Sequence, residues 1–222
     1  MVHQFKAAVF DLDGTLLDTS DGILTSVKYT VRKLGLEPLD EETYRTFIGP
    51  PVQKSFARYY GLEGKKLEEA AFLFRERYKE KDLLKARPYE GIYELLKKLR
   101  QHGIVSAVAT YKRQDYAVTL LRHFVFHQYI DIMCGSDFEN KLRKQDIIEN
   151  ALRRAGVHDY TEAVMVGDTD QDAAGAEELG VPFIGVTYGF GFQSKQDVFP
   201  YQTVGMADTP LELADIIIGG QK

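Results

Sequence analysis

Two aspartates stand one residue apart in Asp11-Leu12-Asp13-Gly14-Thr15, directly after the apolar run Ala7-Ala8-Val9-Phe10. Such a run reads as a short buried strand. On an extended backbone, residues i and i+2 project from one side, which gathers the two carboxylates at the strand's carboxyl end. Gly14 permits a sharp turn away. Like charges this close repel, and a proton or a hard divalent cation with oxygen ligands relieves the repulsion. Asp and Gly after a strand can also form nothing more than a turn. The pair therefore needs partners elsewhere in the chain before it reads as a reaction centre.

Three other places supply them. Thr110 follows the apolar run 104–109. A hydroxyl there can cap the next helix, or hydrogen-bond an anion at that helix's N-terminus. Lys144 stands just before the helical spacing of Ile147, Ile148, Ala151 and Leu152, with Lys141 and Arg143 beside it. A lone lysine is ordinarily solvated surface. Gly167-Asp168-Thr169-Asp170-Gln171-Asp172 follows the run 163–166. The spacing of Asp168 and Asp172 directs both toward one edge of a helix start, where acidic residues also complement the helix dipole. The order acid pair, hydroxyl, lysine, acid pair is far rarer by chance than any one member.

The elements that must position these groups alternate. Strand-like runs fall at 7–10, 104–109, 130–134, 163–166 and 183–186, with helical spacing between them. That alternation predicts an α/β fold, a Rossmann-like parallel sheet core with helices on both faces. Between about residues 16 and 87 it stops. Ile23, Leu24, Val27, Val31 and Leu34 form one helical stripe; 43–48, Val52–Tyr60 and 67–78 are further helical pieces, broken by Gly49-Pro50-Pro51. The expected division is a core of 1–15 and 88–222, interrupted by an inserted all-α domain, 16–87.

Bulk properties narrow the classes. The 222 residues carry a net charge of −5, which argues against a nucleic-acid partner. No apolar run approaches the ~20 residues of a membrane span, and Asp11 and Asp13 interrupt any secretory pattern. A single cysteine, Cys134, suits a reducing, cytoplasmic location. His123 and His127 lie four apart in a helical stretch, as in some zinc sites, but no third ligand accompanies them and a structural role is expected.

On these residues the chain resembles the haloacid dehalogenase-like hydrolase superfamily, and within it the phosphoglycolate phosphatase-like members with a helical cap. Asp11-Leu12-Asp13-Gly14-Thr15 matches the first motif of that family, D-x-D-x-T, and Thr110 the second. Gly167-Asp168 through Asp172 matches the G-D-x-x-x-D form of the fourth, and Pro88-Tyr89-Glu90-Gly91 resembles the turn after the cap. Two places depart from pattern. Lys144 is followed by Gln145 rather than proline, leaving Lys141 as an alternative. Tyr111 stands where many relatives carry Asn or Ser, a change that bears on the pocket's edge.

The resemblance implies an Mg²⁺-dependent phosphomonoesterase acting on a small phosphorylated metabolite, phosphoglycolate phosphatase-like or 5'-nucleotidase-like. Asp11 would be the nucleophile that forms an aspartyl-phosphate, and Asp13 the acid and base. Mg²⁺ would take the Asp11 carboxylate, the Asp13 backbone carbonyl and the Asp168 carboxylate. Lys144 and Thr110 would meet phosphate oxygens, and Asp172 would orient Lys144 or a metal-bound water. The insert would be a cap, with Gly49-Pro50-Pro51 either near the leaving group or a plain helix breaker. Tyr188-Gly189-Phe190-Gly191 would line the cleft or form a structural turn. Competing readings are a phosphomutase, an inorganic pyrophosphatase and a phosphate-binding or receiver-like module. Oligomeric state is left open.

Overall fold

The structure is a computed structural model that describes residues 5–138, 141–198 and 200–219. In chain order it runs β1 (Ala7–Phe10), β2 (Leu17–Asp18), α1 (Ser20–Lys33), α2 (Glu41–Arg45), α3 (Val52–Tyr60), α4 (Gly64–Arg77), a π-helical turn (Tyr78–Asp82) and β3 (Arg87–Pro88). There follow α5 (Ile92–Gln101), β4 (Val105–Arg113), α6 (Gln114–His123), β5 (Ile132–Ser136), α7 (Lys144–Arg154), β6 (Ala163–Gly167) and α8 (Asp170–Leu179). β7 (Phe183–Val186), α9 (Lys195–Val198), β8 (Thr203–Ala207) and α10 (Pro210–Gly219) complete it.

Six strands form one sheet in the order β5-β4-β1-β6-β7-β8, with every pairing parallel. Ala7 and Val9 share one apolar layer with Ala107, Ala109, Ile147, Ile148, Ala151, Ala173 and Ala176, which belong to β4, α7 and α8. Helices α5 and α6 pack on β4, and α10 packs on α5. Strands covered on both faces show continuous apolar runs instead of alternation, which is why β1, β6 and β7 stand out in the sequence. The chain builds β4 and β5 on one side of β1 and β6 to β8 on the other. In open α/β sheets the crevice at such a reversal, outside the strands' carboxyl ends, is where ligands bind.

Three expectations change. β4 runs on to Arg113, so Thr110 lies inside a strand and does not cap a helix; Arg113 occupies the N-cap position of α6. The polar run Thr110–Arg113 hides this extension, because strand and loop both tolerate it. His123 and His127 do not share a helix. His123 ends α6, Val125 adopts a left-handed backbone (φ +61°), and His127 sits in a separate 3-10 turn, Phe126–Gln128. Both are exposed. β8 also had no strand signal, since Thr203 and Val204 face solvent and Gly205 interrupts them; pairing with β7 makes it a strand.

The chain forms two compact units, one comprising the sheet, up to Leu17 and from Pro88 onward, the other Asp18–Arg87. Within the helical unit α1 packs on α4 and the π-helical turn, and α3 on α4. Phe47 meets Phe56 edge-on and stacks on Tyr59. The buried Asp82 carboxylate takes Ser26 Oγ at 3.0 Å, Arg77 Nε at 2.7 Å and Lys85 Nζ at 3.1 Å. Gly22 is required in α1, because a Cβ there would lie 2.3 Å from the Asp82 carbonyl oxygen. In Gly49-Pro50-Pro51, Gly49 has φ +101° and Pro51 is the N-cap of α3.

Candidate active site

Strand alternation carries from Ala7 and Val9 to Asp11, on the side of α7. The Asp11 N–H is held by the Val166 carbonyl at 2.9 Å, which ties the end of β1 to the end of β6. Lys144 is the first residue of α7 and is buried. Its Nζ lies 2.5 Å from Asp11 Oδ1 and 2.6 Å from Asp172 Oδ1. Lys141 is exposed, with its N–H on Asp137, so of the two lysines it is Lys144 that meets the acid cluster. Two glycines make room. A Cβ on Gly175 would stand 3.0 Å from Lys144 Cγ, and one on Gly167 would stand 2.3 Å from the Asp172 carboxyl carbon.

Asp172 joins the site through its place in α8. It is the third residue of that helix and closes a capping box, its Oδ2 accepting from the Thr169 N–H at 3.1 Å and the Thr169 hydroxyl at 2.6 Å. Its other oxygen faces Lys144. Asp168, directly after β6, is fully buried. Its Oδ2 accepts from the N–H groups of Phe190 at 2.7 Å and Gly191 at 3.2 Å, and the Thr15 hydroxyl lies 3.3 Å from Oδ1.

Asp13 takes a different cation. Its Oδ2 is 3.1 Å from Lys112 Nζ, both side chains being about nine-tenths buried. Sequence reasoning missed Lys112, because the segment after residue 109 looked like loop; the unrecognised length of β4 was the missing signal. Thr110 is buried two residues beyond Val108, the β1 partner of Phe10, and its hydroxyl accepts from the Lys112 N–H at 3.2 Å. Tyr111 bears on the site through Lys144. Its hydroxyl accepts from the Lys144 N–H at 2.9 Å, and its ring lies 5.7 Å from Lys144 Nζ.

The charges do not balance internally. Four carboxylates (Asp11, Asp13, Asp168, Asp172) meet two ammonium groups (Lys112, Lys144). Burial pushes Asp11 up to about 8 against the pull of Lys144, and the charges of Asp172, Asp13 and Asp168 add to the rise. Burial and then Asp172 push Asp168 up to about 7, although backbone N–H groups oppose it. Burial alone would lower Lys144, but Asp11 and Asp172 overcome it and hold the ammonium above its usual value. Oxygens of Asp11, Asp168 and Asp172 lie within 4.8 Å of one another. A cluster of hard oxygen donors that is two positive charges short fits a divalent cation of the Mg²⁺ type.

Comparison with known proteins accords with this geometry. Residues 8–186, from β1 through β7, match the sequence model of the family described as haloacid dehalogenase-like hydrolase. The chain belongs to the haloacid dehalogenase-like hydrolases. It is 36% identical over 193 residues to a 5'-nucleotidase of Pseudomonas aeruginosa, covering 86% of this chain and 87% of that one. It is 35% identical over 191 residues to a phosphoglycolate phosphatase of Agrobacterium fabrum, covering 82% and 81%. A crystal structure of a predicted phosphatase from Clostridium acetobutylicum superposes with a TM-score of 0.88 at 33% identity, over 97% of this chain and 99% of that one. This hydrolase is a phosphatase of the family, and every clustered residue from Asp11 to Asp172 lies inside the matched region. Among its described residues no helix is long and apolar enough to cross a membrane.

Proposed function

We propose that this phosphatase is an Mg²⁺-dependent phosphomonoesterase that acts on a small phosphorylated metabolite through an aspartyl-phosphate on Asp11. The observation that carries the reading is Asp11 itself, buried at the carboxyl end of the central strand, 2.5 Å from Lys144 and clustered with Asp168 and Asp172. Asp11, Asp168 and the Asp13 backbone carbonyl would hold the cation, while Asp172 stays committed to Lys144 and Thr169. When bound, Mg²⁺ would offset the carboxylate charge and polarise the phosphoryl group.

In the first half-reaction an Asp11 oxygen forms a bond to phosphorus as the bond to the leaving oxygen breaks. The Asp13 carboxyl gives that oxygen its proton. In the second, the Asp13 carboxylate takes a proton from the attacking water, and the bond from phosphorus to Asp11 breaks to release inorganic phosphate. Lys144 and Thr110 donate to phosphoryl oxygens and steady the charge that builds there. The helical unit would serve as a cap that selects the substrate and excludes water. The likeness to a 5'-nucleotidase and to a phosphoglycolate phosphatase supports substrates of those two kinds.

Phosphate release from an aryl phosphate should require Mg²⁺ and stop on chelation. Asp11→Asn should lower kcat on the order of 10⁴-fold or more, as loss of a nucleophile does. Turnover surviving in that variant would remove Asp11 from the role. A panel of phosphometabolites then ranks the substrates, and isomerised product without free phosphate would show a phosphomutase instead.

A further inference from the structure

The turn Tyr188-Gly189-Phe190-Gly191 after β7 has no part in the chemistry above, yet it is wrapped around Asp168. Two of its N–H groups, from Phe190 and Gly191, converge on one oxygen, Asp168 Oδ2. The next N–H, from Phe192, donates to the Asp168 backbone carbonyl at 2.7 Å. At the start of the turn the Tyr188 hydroxyl donates to the Thr15 carbonyl at 3.1 Å, and its ring packs against Tyr89. Only bare backbone can come this close. A Cβ on Gly189 would stand 2.4 Å from both Asp168 Cβ and the Gly14 carbonyl oxygen, and one on Gly191 would stand 2.3 Å from the Asp168 carbonyl oxygen. Gly14 completes the enclosure, because a Cβ there would lie 2.2 Å from Asp168 Oδ2.

A carboxylate has two oxygens and about four lone-pair sites. Two donors on one oxygen fix the carboxyl plane and satisfy that oxygen away from water. The second oxygen, Oδ1, has the Thr15 hydroxyl at the longer distance of 3.3 Å and keeps acceptor capacity for a cation. Partners of this kind, which hold a ligand in place without touching the metal, set metal affinity strongly.

We propose that the 188–191 turn is a backbone clamp that presets Asp168 for the divalent cation, so that Gly189 and Gly191 are positioning residues for metal affinity. The proposal rests on Asp168 being a ligand of that cation. They act through Asp168 and meet neither substrate nor phosphorus.

Calorimetric titration with Mg²⁺ alone tests it. Gly189→Ala and Gly191→Ala, shown to be folded by circular dichroism, should bind Mg²⁺ about 10- to 100-fold more weakly than wild type. At saturating Mg²⁺ their kcat should largely recover, separating an affinity effect from a general loss. Folded variants that bind Mg²⁺ as tightly as wild type would overturn the clamp. Absence of Mg²⁺ binding in the wild type would instead overturn Asp168 as a ligand. Hydrogen exchange covers the case in which neither variant folds: the amides of Phe190 and Gly191 should be protected in wild type and exposed in Asp168→Ala, which removes the acceptor oxygen. Equal exchange in the two proteins would likewise overturn the clamp.

Discussion

Of the two buried ammonium groups, one bridges two of the carboxylates. Lys144 is bonded to Asp11 and Asp172 at once, so its placement controls both. That placement depends on Tyr111, whose hydroxyl accepts the first N–H of α7. The early N–H groups of a helix have no partner inside it, and leaving one buried and unsatisfied costs about 1–3 kcal/mol. Tyr111→Phe keeps the ring and removes only the acceptor. We expect kcat to fall about tenfold, equivalent to about 1.4 kcal/mol in the barrier, with KM little changed, in steady-state kinetics. A variant that loses thermal stability yet keeps its kcat would assign Tyr111 to folding alone. Lys112 shows how a residue escapes sequence reading. Its type and its neighbours Tyr111 and Arg113 describe ordinary surface, and only the overrun of β4 brings it to Asp13.

Secondary structure brings the cluster together by topology. Asp11 and Asp168 end adjacent strands on either side of the chain reversal, and α7 and α8 deliver Lys144 and Asp172 from one face of the sheet. The closeness of those two helices depends on Gly175, where a Cβ would press on Lys144 Cγ at 3.0 Å and Ile148 Cδ1 at 3.2 Å. Gly175→Val should overpack this contact at about 1–3 kcal/mol and push the Lys144 stem from its place. Melting temperature and kcat should fall together, with Gly175→Ala milder in both. A normal kcat in the Gly175→Val variant would mean that the helices have slack to spare. Most of this layer was legible in the sequence. Doubly covered strands such as β1, β6 and β7 leave unbroken apolar runs, and Gly167-Asp168 announces a strand-to-helix turn. β8 left no such trace because an edge strand with exposed Thr203 and Val204 is defined by its neighbour. Thr110 was misplaced for a related reason, since the polar end of β4 reads equally well as loop.

For the molecule as a whole, the cluster should couple folding to pH and, on the proposed function, to a divalent cation. Without a cation Asp11 is raised to about 8 and Asp168 to about 7, from an ordinary value of 3.8. A carboxyl raised on folding contributes stability that is full below its unfolded value and is lost as pH rises through its folded value. The metal-free protein should therefore lose stability between about pH 4 and pH 8 as both groups are forced to ionise. Lys144, held above its usual value, stays charged across that window and adds no slope. A divalent cation competes with the same protons, so its stabilising effect should grow over the same range. Melting temperatures measured in chelator and in saturating Mg²⁺ should diverge as pH rises from about 5 to about 8. Taking the difference between the two series removes contributions common to both. Asp168→Asn should shrink the divergence, since it deletes one of the two raised groups, which is also a proposed ligand of the cation. Parallel melting curves across that pH range would show that Asp11 and Asp168 are not the groups that couple the fold to the cation.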